Sequence, residues 1–404
     1  MKLLGITAEY NPFHNGHAYH IREALKRSGC DSVIVLQSGN FVQRGTPAVM
    51  DKYDRAEAAL RNGADIVIEL PVFSAAASAE LFAEGAIRAL SALGVDAVSY
   101  GIECDGKSVT ETHAEIRRAA AFFAEESEHY KELLKEGLSS GRSYPAARLE
   151  AYRQITGDDG ASLSTPNNIL AVEYEKAMIR KNVAFSAVPI ERIGSGYHDT
   201  EGGEFASATA IRSMTGGDSW KDSVPENLHK LYAEALSHAV QPDDFSGQLF
   251  SALHGKTAAE LEVFADISGD TARRLAEAAK QPFTWTSLAE AIRERSHTLT
   301  HVNRTLCHVL LGITKEADAE YRAGGLPYLH VLGIRQEAAP LLGKLAESSS
   351  VPLLIRLNKD MKALPEAARK LFETELSATA LYSHVLFGKG AAVSDERLRK
   401  FLTV

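Results

Sequence analysis

Two histidines, His14 and His17, flank Gly16 where an apolar run meets a helical pattern. The run Leu3–Ala8 predicts a strand and His17–Lys26 predicts a helix, so the histidines lie in a strand–turn–helix connection. A helix start presents unpaired N–H groups and the positive end of its dipole, and Gly16 lets an anion approach the backbone closely. Both histidines can then donate to phosphate oxygens as charge develops at an α-phosphorus. The pattern favours a catalytic nucleotide site over a turn whose histidines only pack or cap.

A second polar motif, Ala-Ser-Ala-Thr-Ala-Ile-Arg, occupies residues 206–212. Ser207 and Thr209 would offer hydroxyl and N–H groups at a helix start. Arg212 would lie one turn further on, as a cation for departing pyrophosphate. A plain Ser- or Thr-capped helix is the common alternative. In combination with the histidine turn, the motif favours phosphate binding and a catalytic role for Arg212.

Strands and helices alternate through the first part of the chain. Short, continuous apolar runs predict strands buried on both faces, and this alternation predicts an α/β fold with a parallel, doubly wound sheet. Ligands in such sheets bind beyond the carboxyl ends of the strands, where the histidine turn, the loop at 38–45 and Gly101 all fall. The later predicted strands are 32–36, 65–70, 96–101 and 184–190, and the predicted helices are 51–62, 78–93 and 166–181.

A chain of 404 residues is too long for one ordinary core, so more than one domain is expected. Strand signals nearly vanish after about residue 220. We expect residues 1–219 to form the sheet domain, with a charged helical insertion at about 107–150. Residues 220–404 are expected to form a mainly helical domain.

Composition narrows the class of protein. The chain is 45% hydrophobic and 24% charged, as in soluble globular proteins. Because the sequence has no long uncharged apolar stretch, no membrane span is expected, and the N-terminal apolar run is too short for a signal peptide. Cys30, Cys104 and Cys307 are scattered, which argues against a zinc site and a disulfide framework. We therefore expect a cytoplasmic protein without a metal site built from its side chains.

The net charge of -9 argues against bulk binding of nucleic acid, but the charge is unevenly distributed. Residues 281–404 hold 16 basic and 13 acidic residues, a net of +3, whereas residues 1–280 hold 28 and 40, a net of -12. The C-terminal third is the more plausible docking region for a polyanion. Ordinary solvated helix faces explain so small a difference equally well.

Several segments resemble the bacterial tRNA(Met) cytidine acetate ligase family, within the HIGH-type nucleotidyltransferase superfamily, and the similarity extends over nearly the whole chain. The motif at 206–212 also resembles the second motif of nicotinate-nucleotide and phosphopantetheine adenylyltransferases. His330 stands where the family often has arginine, which weakens any claim for an RNA contact there. The segments that carry the resemblance are Glu9–His17, Ser38–Gly45, Pro166–Leu170, Glu191–Arg192, Gly196–Asp199 and Pro327–Gly333.

The resemblance implies a Rossmann-like nucleotidyltransferase sheet domain, followed by a mainly helical domain that binds tRNA. It also implies an ATP site in which one asparagine of the Asn167–Asn168 pair takes part, and the residues do not decide which one. The implied ATP-binding residues are Thr7, Ala8, Glu9, Tyr10, Asn11, Pro12, Phe13, His14, Asn15, Gly16, His17, Ala18, Tyr19, His20, Gly101, Asn167, Asn168 and Arg192, joined by Ser207 and Thr209.

Members of that family activate acetate with ATP and acetylate N4 of the wobble cytidine of elongator tRNA(Met). The resemblance thus implies acetate and elongator tRNA(Met) as partners, with Mg²⁺ on the ATP phosphates. Attack of acetate on the α-phosphorus needs positioning and charge neutralisation rather than a covalent enzyme nucleophile. The candidates for holding acetate or cytidine are Asn40, Gln43 and Arg44. The candidates for tRNA binding, by charge alone, are Arg304, Arg335, Lys359, Arg397, Arg399 and Lys400.

Two other functions fit part of this pattern. One is an adenylyltransferase or ligase with a small-molecule acceptor, such as a pantothenate synthetase-like enzyme. The other is a nucleotide-sensing RNA-binding protein without turnover. Pyrophosphate release separates an enzyme from a sensor, and dependence on tRNA and acetate separates the two enzymes. The sequence does not predict the oligomeric state.

Overall fold

The computed structural model describes residues 1–193, 205–214, 217–294 and 297–404. The segment Gly196–Asp199, which contributes to the family resemblance, lies outside the described residues. In the described residues the strands are β1 Leu3–Ala8, β2 Ser32–Ser38, β3 Ile66–Leu70, β4 Ala97–Ile102, β5 Ser186–Glu191, β6 Leu329–Ile334, β7 Leu353–Leu354 and β8 Leu402–Thr403.

Helices flank the sheet in its first half and dominate the second half. Among the described residues they are α1 Asn15–Ser28, α2 Lys52–Leu60, α3 Val72–Ala75, α4 Ala79–Ala92, α5 Val109–Glu125, α6 Glu128–Ser139, α7 Tyr144–Thr156, α8 Pro166–Lys181, α9 Ala208–Ser213, α10 His229–Ser237, α11 Ser246–Leu253, α12 Ala258–Leu261, α13 Gly269–Ala278, α14 Trp285–Ile292, α15 Leu299–Leu311, α16 Lys315–Ala323, α17 Ala339–Ser348, α18 Leu357–Asp360 and α19 Glu366–Gly388. None of these helices is both long and apolar enough to cross a membrane.

The predicted α/β fold is confirmed by the sheet, whose strand order is β5-β4-β1-β2-β3-β6-β7. The first five strands are parallel, and β2 and β3 are buried along almost their whole length, as their continuous apolar runs predict. The order reverses between β1 and β4. A crevice therefore opens at the carboxyl ends of these two strands, where doubly wound sheets bind their ligands.

The C-terminal half contributes strands that sequence analysis did not predict. The segment Leu329–Ile334 forms β6, whose six residues are all buried, and it pairs antiparallel with β3. The short strands β7 and β8 then pair with β6. This run is apolar but sits among helical patterns, and a short buried run is not distinguishable by periodicity from part of a buried helix. The sheet thus draws strands from both sides of the expected boundary at 219/220, which stays a prediction.

The segment from about 107 to 156 forms the helices α5, α6 and α7. Phe122, Phe123, Tyr130 and Tyr152 pack their rings edge-on or tilted against one another at centroid distances of 5.2–5.8 Å. This aromatic cluster joins the three helices to the main core beside α8. The segment expected to be an insertion therefore packs against the same hydrophobic core as the sheet and α8.

Candidate active site

The turn between β1 and α1 holds the two histidines in a reciprocal capping arrangement. Nδ1 of His14 accepts from the backbone N–H of Gly16 at 3.1 Å, and Nδ1 of His17 accepts from the backbone N–H of His14 at 3.2 Å. The two rings stack with centroids 3.7 Å apart. A Cβ on Gly16 would lie 2.9 Å from Cε1 of His14, so glycine makes room for the ring.

These contacts determine which nitrogen of each ring carries the proton. Because Nδ1 of each neutral ring accepts a hydrogen bond, each proton lies on Nε2. Burial, with Arg192 and Arg212 nearby, lowers the pKa of His14 to about 3. Burial, with His14 and Arg192 nearby, also lowers the pKa of His17 well below its usual range. Both side chains are thus neutral Nε2–H donors at physiological pH. Helix capping, which the sequence offered only as the alternative to a donor role, is compatible with that role, because each uses a different nitrogen of the ring.

A third histidine, His20, follows His14 and His17 along α1. His20 Nε2 lies 2.8 Å from the Ser99 hydroxyl, which donates in turn to the carbonyl oxygen of Val188 at 2.7 Å. The Ser99 oxygen therefore accepts from His20. Burial, with Arg192 nearby, lowers the pKa of His20 to about 4. This side chain links α1 to the middle of β4 and, through Ser99, to β5.

The start of α8 separates the two candidate asparagines. Asn168 is fully buried, and its amide accepts from the backbone N–H of Glu103 and donates to the carbonyl oxygen of the same residue, each at 2.9 Å. Asn167 lines the cavity described below, and its amide donates to the Glu103 carboxylate at 2.5 Å. The geometry thus gives Asn168 a structural role, and of the two asparagines only Asn167 lines the cavity.

The second motif closes the opposite side of the turn. Ser207 caps α9, and Arg212 donates from Nη1 to the carbonyl oxygen of Asn11 at 2.5 Å and from Nη2 to the Thr209 hydroxyl at 2.9 Å. Asn11 Oδ1 accepts from the backbone N–H of Val49 at 2.8 Å. These bonds fix the Arg212 guanidinium beside the histidine turn, although the two motifs are nearly 200 residues apart in sequence.

Most of the predicted residues meet at a cavity of about 260 Å³ at the switch point of the sheet. Tyr10 lines it, and the buried hydroxyl of this residue has no hydrogen-bond partner among the described residues. Of the residues predicted for ATP or catalysis, the cavity is lined by Thr7, Ala8, Glu9, Tyr10, Asn11, His14, Gly16, His17, Tyr19, His20, Gly101, Asn167, Arg192, Ser207, Thr209 and Arg212. Those outside its lining are Pro12, Phe13, Asn15, Ala18 and Asn168.

The loop at 38–45 contributes two of its three candidates to the cavity. Gln43 and Arg44 line it, whereas Asn40 is buried and accepts from the backbone N–H of Lys52 at 2.8 Å. Gly45 has φ +72°, and a Cβ there would lie 2.2 Å from the backbone nitrogen of Arg304. Helix α15 of the C-terminal half therefore packs directly against the end of this loop.

Two buried residues that sequence analysis missed hold the site in place. Arg55 donates to the carbonyl oxygens of Glu9, Ser38 and Gly39 at 2.5–3.1 Å, so it joins the ends of β1 and β2. Tyr232, from α10, donates its hydroxyl to the carbonyl oxygen of Phe13 at 2.7 Å. An arginine inside a predicted amphipathic helix and a tyrosine 219 residues away carry no local signal for these contacts.

The tRNA candidates do not form one cluster of unpaired cations. Arg304 pairs with Asp266 at 3.5 Å, and Arg335 pairs with Asp65. Arg399 pairs with Asp51 at 3.1 Å, and its guanidinium carbon lies 3.9 Å from the centre of the Tyr53 ring. These contacts give those three arginines structural partners. The candidates with exposed side chains are Lys359, Arg397 and Lys400.

Within the described part of the chain, one group of side chains has the spacing of a metal site: Glu69, His330 and Glu396, all buried. The ammonium of Lys52 lies 2.8 Å from each of the two carboxylates and takes the place that a cation would occupy. His330 is thus part of a buried ion-pair network that joins β3, β6 and the C-terminal segment. Its burial excludes a direct RNA contact in this conformation.

Comparisons with known proteins agree on one family. The HIGH Nucleotidyl Transferase family model matches residues 1–396. A tRNA(Met) cytidine acetate ligase of Acetivibrio thermocellus is 37% identical over 402 residues, which cover 95% of this chain and 94% of that protein. The corresponding ligase of Caldanaerobacter subterraneus subsp. tengcongensis is 35% identical over 395 residues, which cover 95% of each.

Solved structures give the same result. Thermotoga maritima TmcAL in its apo form I has a TM-score of 0.91 and 29% identity, with all of both chains covered. The same protein bound with alpha-thio ATP has a TM-score of 0.90 and 28% identity, again over all of both chains. The family model and the relatives together cover nearly the whole sequence, including both halves of the sheet. The chain therefore belongs to the tRNA(Met) cytidine acetate ligase family of HIGH nucleotidyl transferases.

Proposed function

We propose that this chain uses ATP to convert acetate to acetyl-adenylate and transfers the acetyl group to N4 of the wobble cytidine of elongator tRNA(Met). Its relatives are named for tRNA(Met) cytidine acetate ligation. The observation that carries the proposal is the pair of neutral Nε2–H donors on His14 and His17, beside the Arg212 guanidinium in one cavity. Donors held in this way stabilise charge that develops on a phosphate without having to reorganise.

In the first step, an acetate oxygen attacks the α-phosphorus, and the bond to the bridging oxygen breaks to release pyrophosphate. His14 and His17 donate to the α-phosphate oxygens, and Arg212 binds the departing pyrophosphate. Gln43 and Arg44, which line the same cavity, would hold acetate, with the arginine facing its carboxylate. Positioning of the reactants supplies much of the rate.

The opposite end of the cavity is suited to the nucleoside. The Asn167 amide can contact a base edge, and Arg192 lies against Gly101, where a Cβ would meet its Cγ at 3.1 Å. Mg²⁺ bound with ATP would take most of its ligands from phosphate and water. Glu9 and Glu191, the acidic residues in the described lining of the cavity, could add an oxygen ligand.

In the second step, the cytidine N4 attacks the acetyl carbon, AMP leaves, and N4 loses a proton. The mixed anhydride already carries the activation, so no thiol intermediate is needed. Cys30, Cys104 and Cys307 are absent from the cavity lining formed by the described residues. We assign tRNA docking to the mainly helical residues 220–404, where the exposed Lys359, Arg397 and Lys400 are candidates.

The direct test is incubation with ATP, labelled acetate and total bacterial tRNA, followed by nucleoside analysis. Label should enter N4-acetylcytidine only when ATP and tRNA are both present. His129→Ala changes an exposed histidine on α6 and should behave as the wild type. Label transfer to a small-molecule acceptor without tRNA, or ATP binding without pyrophosphate release, would overturn the proposal in favour of another class of protein.

A further inference from the structure

A second cavity, of about 830 Å³, lies next to the ATP site and shares Gln43 with it. Helix α8 forms the partition, since Leu170 and Tyr174 face the ATP cavity while Ile169 and Val172 face the second one. We propose that this second cavity receives the unstacked acceptor cytidine of the tRNA and its flanking phosphates. The inference rests on the proposed function and adds the place where the acceptor binds.

The walls of the cavity have the character of a site for a nucleobase. They are mainly apolar, with Phe123, Leu149, Leu163 and Val172 among them, and the volume lies within the roughly 300–1,000 Å³ of small-ligand sites. Tyr144 lines the cavity and is 43% exposed, so its ring is accessible. Single-stranded nucleotides are held by stacking of their splayed bases on such rings.

The electrostatics favour an anionic ligand. Three helices of 13–14 residues, namely α4, α7 and α15, begin at this wall, with their N-cap residues Ser78, Ser143 and Thr298 in the lining, so the positive ends of their dipoles lie beside the cavity. Ser143, at the start of α7, makes no side-chain capping bond. The convergence of these helix starts suits the phosphates beside a bound cytidine.

Two arginines in the lining, Arg148 and Arg142, also favour an anionic ligand. Arg148 pairs through Nη1 with Glu173 and stacks 3.9 Å from the centre of the Phe123 ring. Its Nη2 is buried and has no hydrogen-bond partner in the described part of the chain. Arg142 lines the cavity, is exposed and forms no ion pair with the described residues. The acids in the lining are already neutralised, Glu80 by Lys176 and Arg180, Glu173 by Arg148 and Lys176, and Asp266 by Arg304.

The position of the cavity explains how the acceptor amine would reach the activated acetyl group. Gln43 is fixed at the junction because its backbone N–H donates to the Glu9 carboxylate at 2.9 Å and its amide donates to the carbonyl oxygen of Ala77 at 3.3 Å. A base seated in the second cavity can present its exocyclic amine past this residue, toward the histidine turn. Extrusion of the target base into a separate pocket is a common solution when an enzyme modifies a base.

The test uses Tyr144→Ala, with Tyr144→Phe as the conservative variant, and Ala146→Trp, which fills the cavity from an exposed lining position. Phe387→Ala, at an aromatic residue 67% exposed on α19, is the matched control. Two rates are measured: acetate-dependent ATP–pyrophosphate exchange without tRNA, and kcat/KM for acetylation of elongator tRNA(Met).

The alanine and tryptophan variants should lose on the order of 10-fold or more in kcat/KM for tRNA, the usual size of a lost base–aromatic stack. Exchange should stay at the wild-type rate, and Tyr144→Phe should retain tRNA acetylation. Wild-type tRNA kinetics in both variants would overturn this assignment. If tRNA kinetics were wild-type but the oligomeric state of the variants changed, the cavity would instead belong to a contact with a second copy of the chain. An absence of exchange in the wild type would overturn the proposed function itself and, with it, this site.

Discussion

Removal of the His17 ring tests whether this histidine stabilises charge on the α-phosphate in the transition state. The ring does two things, because Nδ1 accepts from the N-cap N–H of α1 and Nε2–H faces the cavity. Loss of a preorganised donor typically lowers kcat by 10²–10³-fold, which corresponds to about 3–4 kcal/mol of transition-state stabilisation. Loss of the reciprocal cap should lower the free energy of unfolding by only ~1 kcal/mol. His17→Ala should therefore fail in catalysis while the chain still folds.

The assay is acetate-dependent ATP–pyrophosphate exchange at saturating ATP, alongside denaturant unfolding. His17→Gln separates the two roles, since glutamine at the third helical position can accept the same cap bond. It should restore the free energy of unfolding more completely than it restores kcat. His129→Ala serves as the control for loss of a histidine. If His17→Ala kept the wild-type kcat at saturating ATP, the donor role would be refuted.

Three further predictions follow from individual contacts. Asn167→Ala should raise the KM for ATP with little change in stability. Asn168→Ala should lower the free energy of unfolding by about 1–3 kcal/mol, because it leaves the backbone N–H and C=O of Glu103 unpaired. Equal effects of the two variants would contradict the different roles of these asparagines. Burial lowers the pKa of His20 to about 4, so as the pH falls the unfolded chain takes up a proton on this histidine at a higher pH than the folded chain does. The free energy of unfolding should therefore fall by up to about 1.4 kcal/mol per pH unit as the pH is lowered from 6.5 to 4. A His20→Gln variant should show a shallower acid limb in denaturant unfolding at each pH, and an unchanged slope would refute the shift. Arg399→Glu should destabilise the chain because it breaks the pair with the buried Asp51 carboxylate, whereas Arg397→Glu, at an exposed residue, should not. If Arg397→Glu leaves tRNA affinity and its dependence on salt unchanged, Arg397 is not a phosphate contact.

Local patterns in the sequence were sufficient for the elements that bear the nucleotide site. The first strand, the histidine turn and α1 follow from an apolar run, a glycine and a helical period within about 25 residues. The α/β fold and the family are confirmed by the sheet and by the comparisons. Such features are predictable because capping and strand burial depend on residues close together in the chain. The site roles of single residues, and the domain boundary, stay predictions.

Only the tertiary structure determined which residues, distant in sequence, contact one another. Asn167 and Asn168 have the same side chain, and only the position of Glu103 distinguishes them. The charges of Arg335 and Arg399 look available in the sequence, yet each meets an aspartate more than 250 residues away. Likewise, β6 covers the edge of β3 from the opposite end of the chain. Hydrophobic period and residue type determine which groups are buried or charged, but the partner that each group meets depends on chain closure over hundreds of residues, for which no local pattern exists.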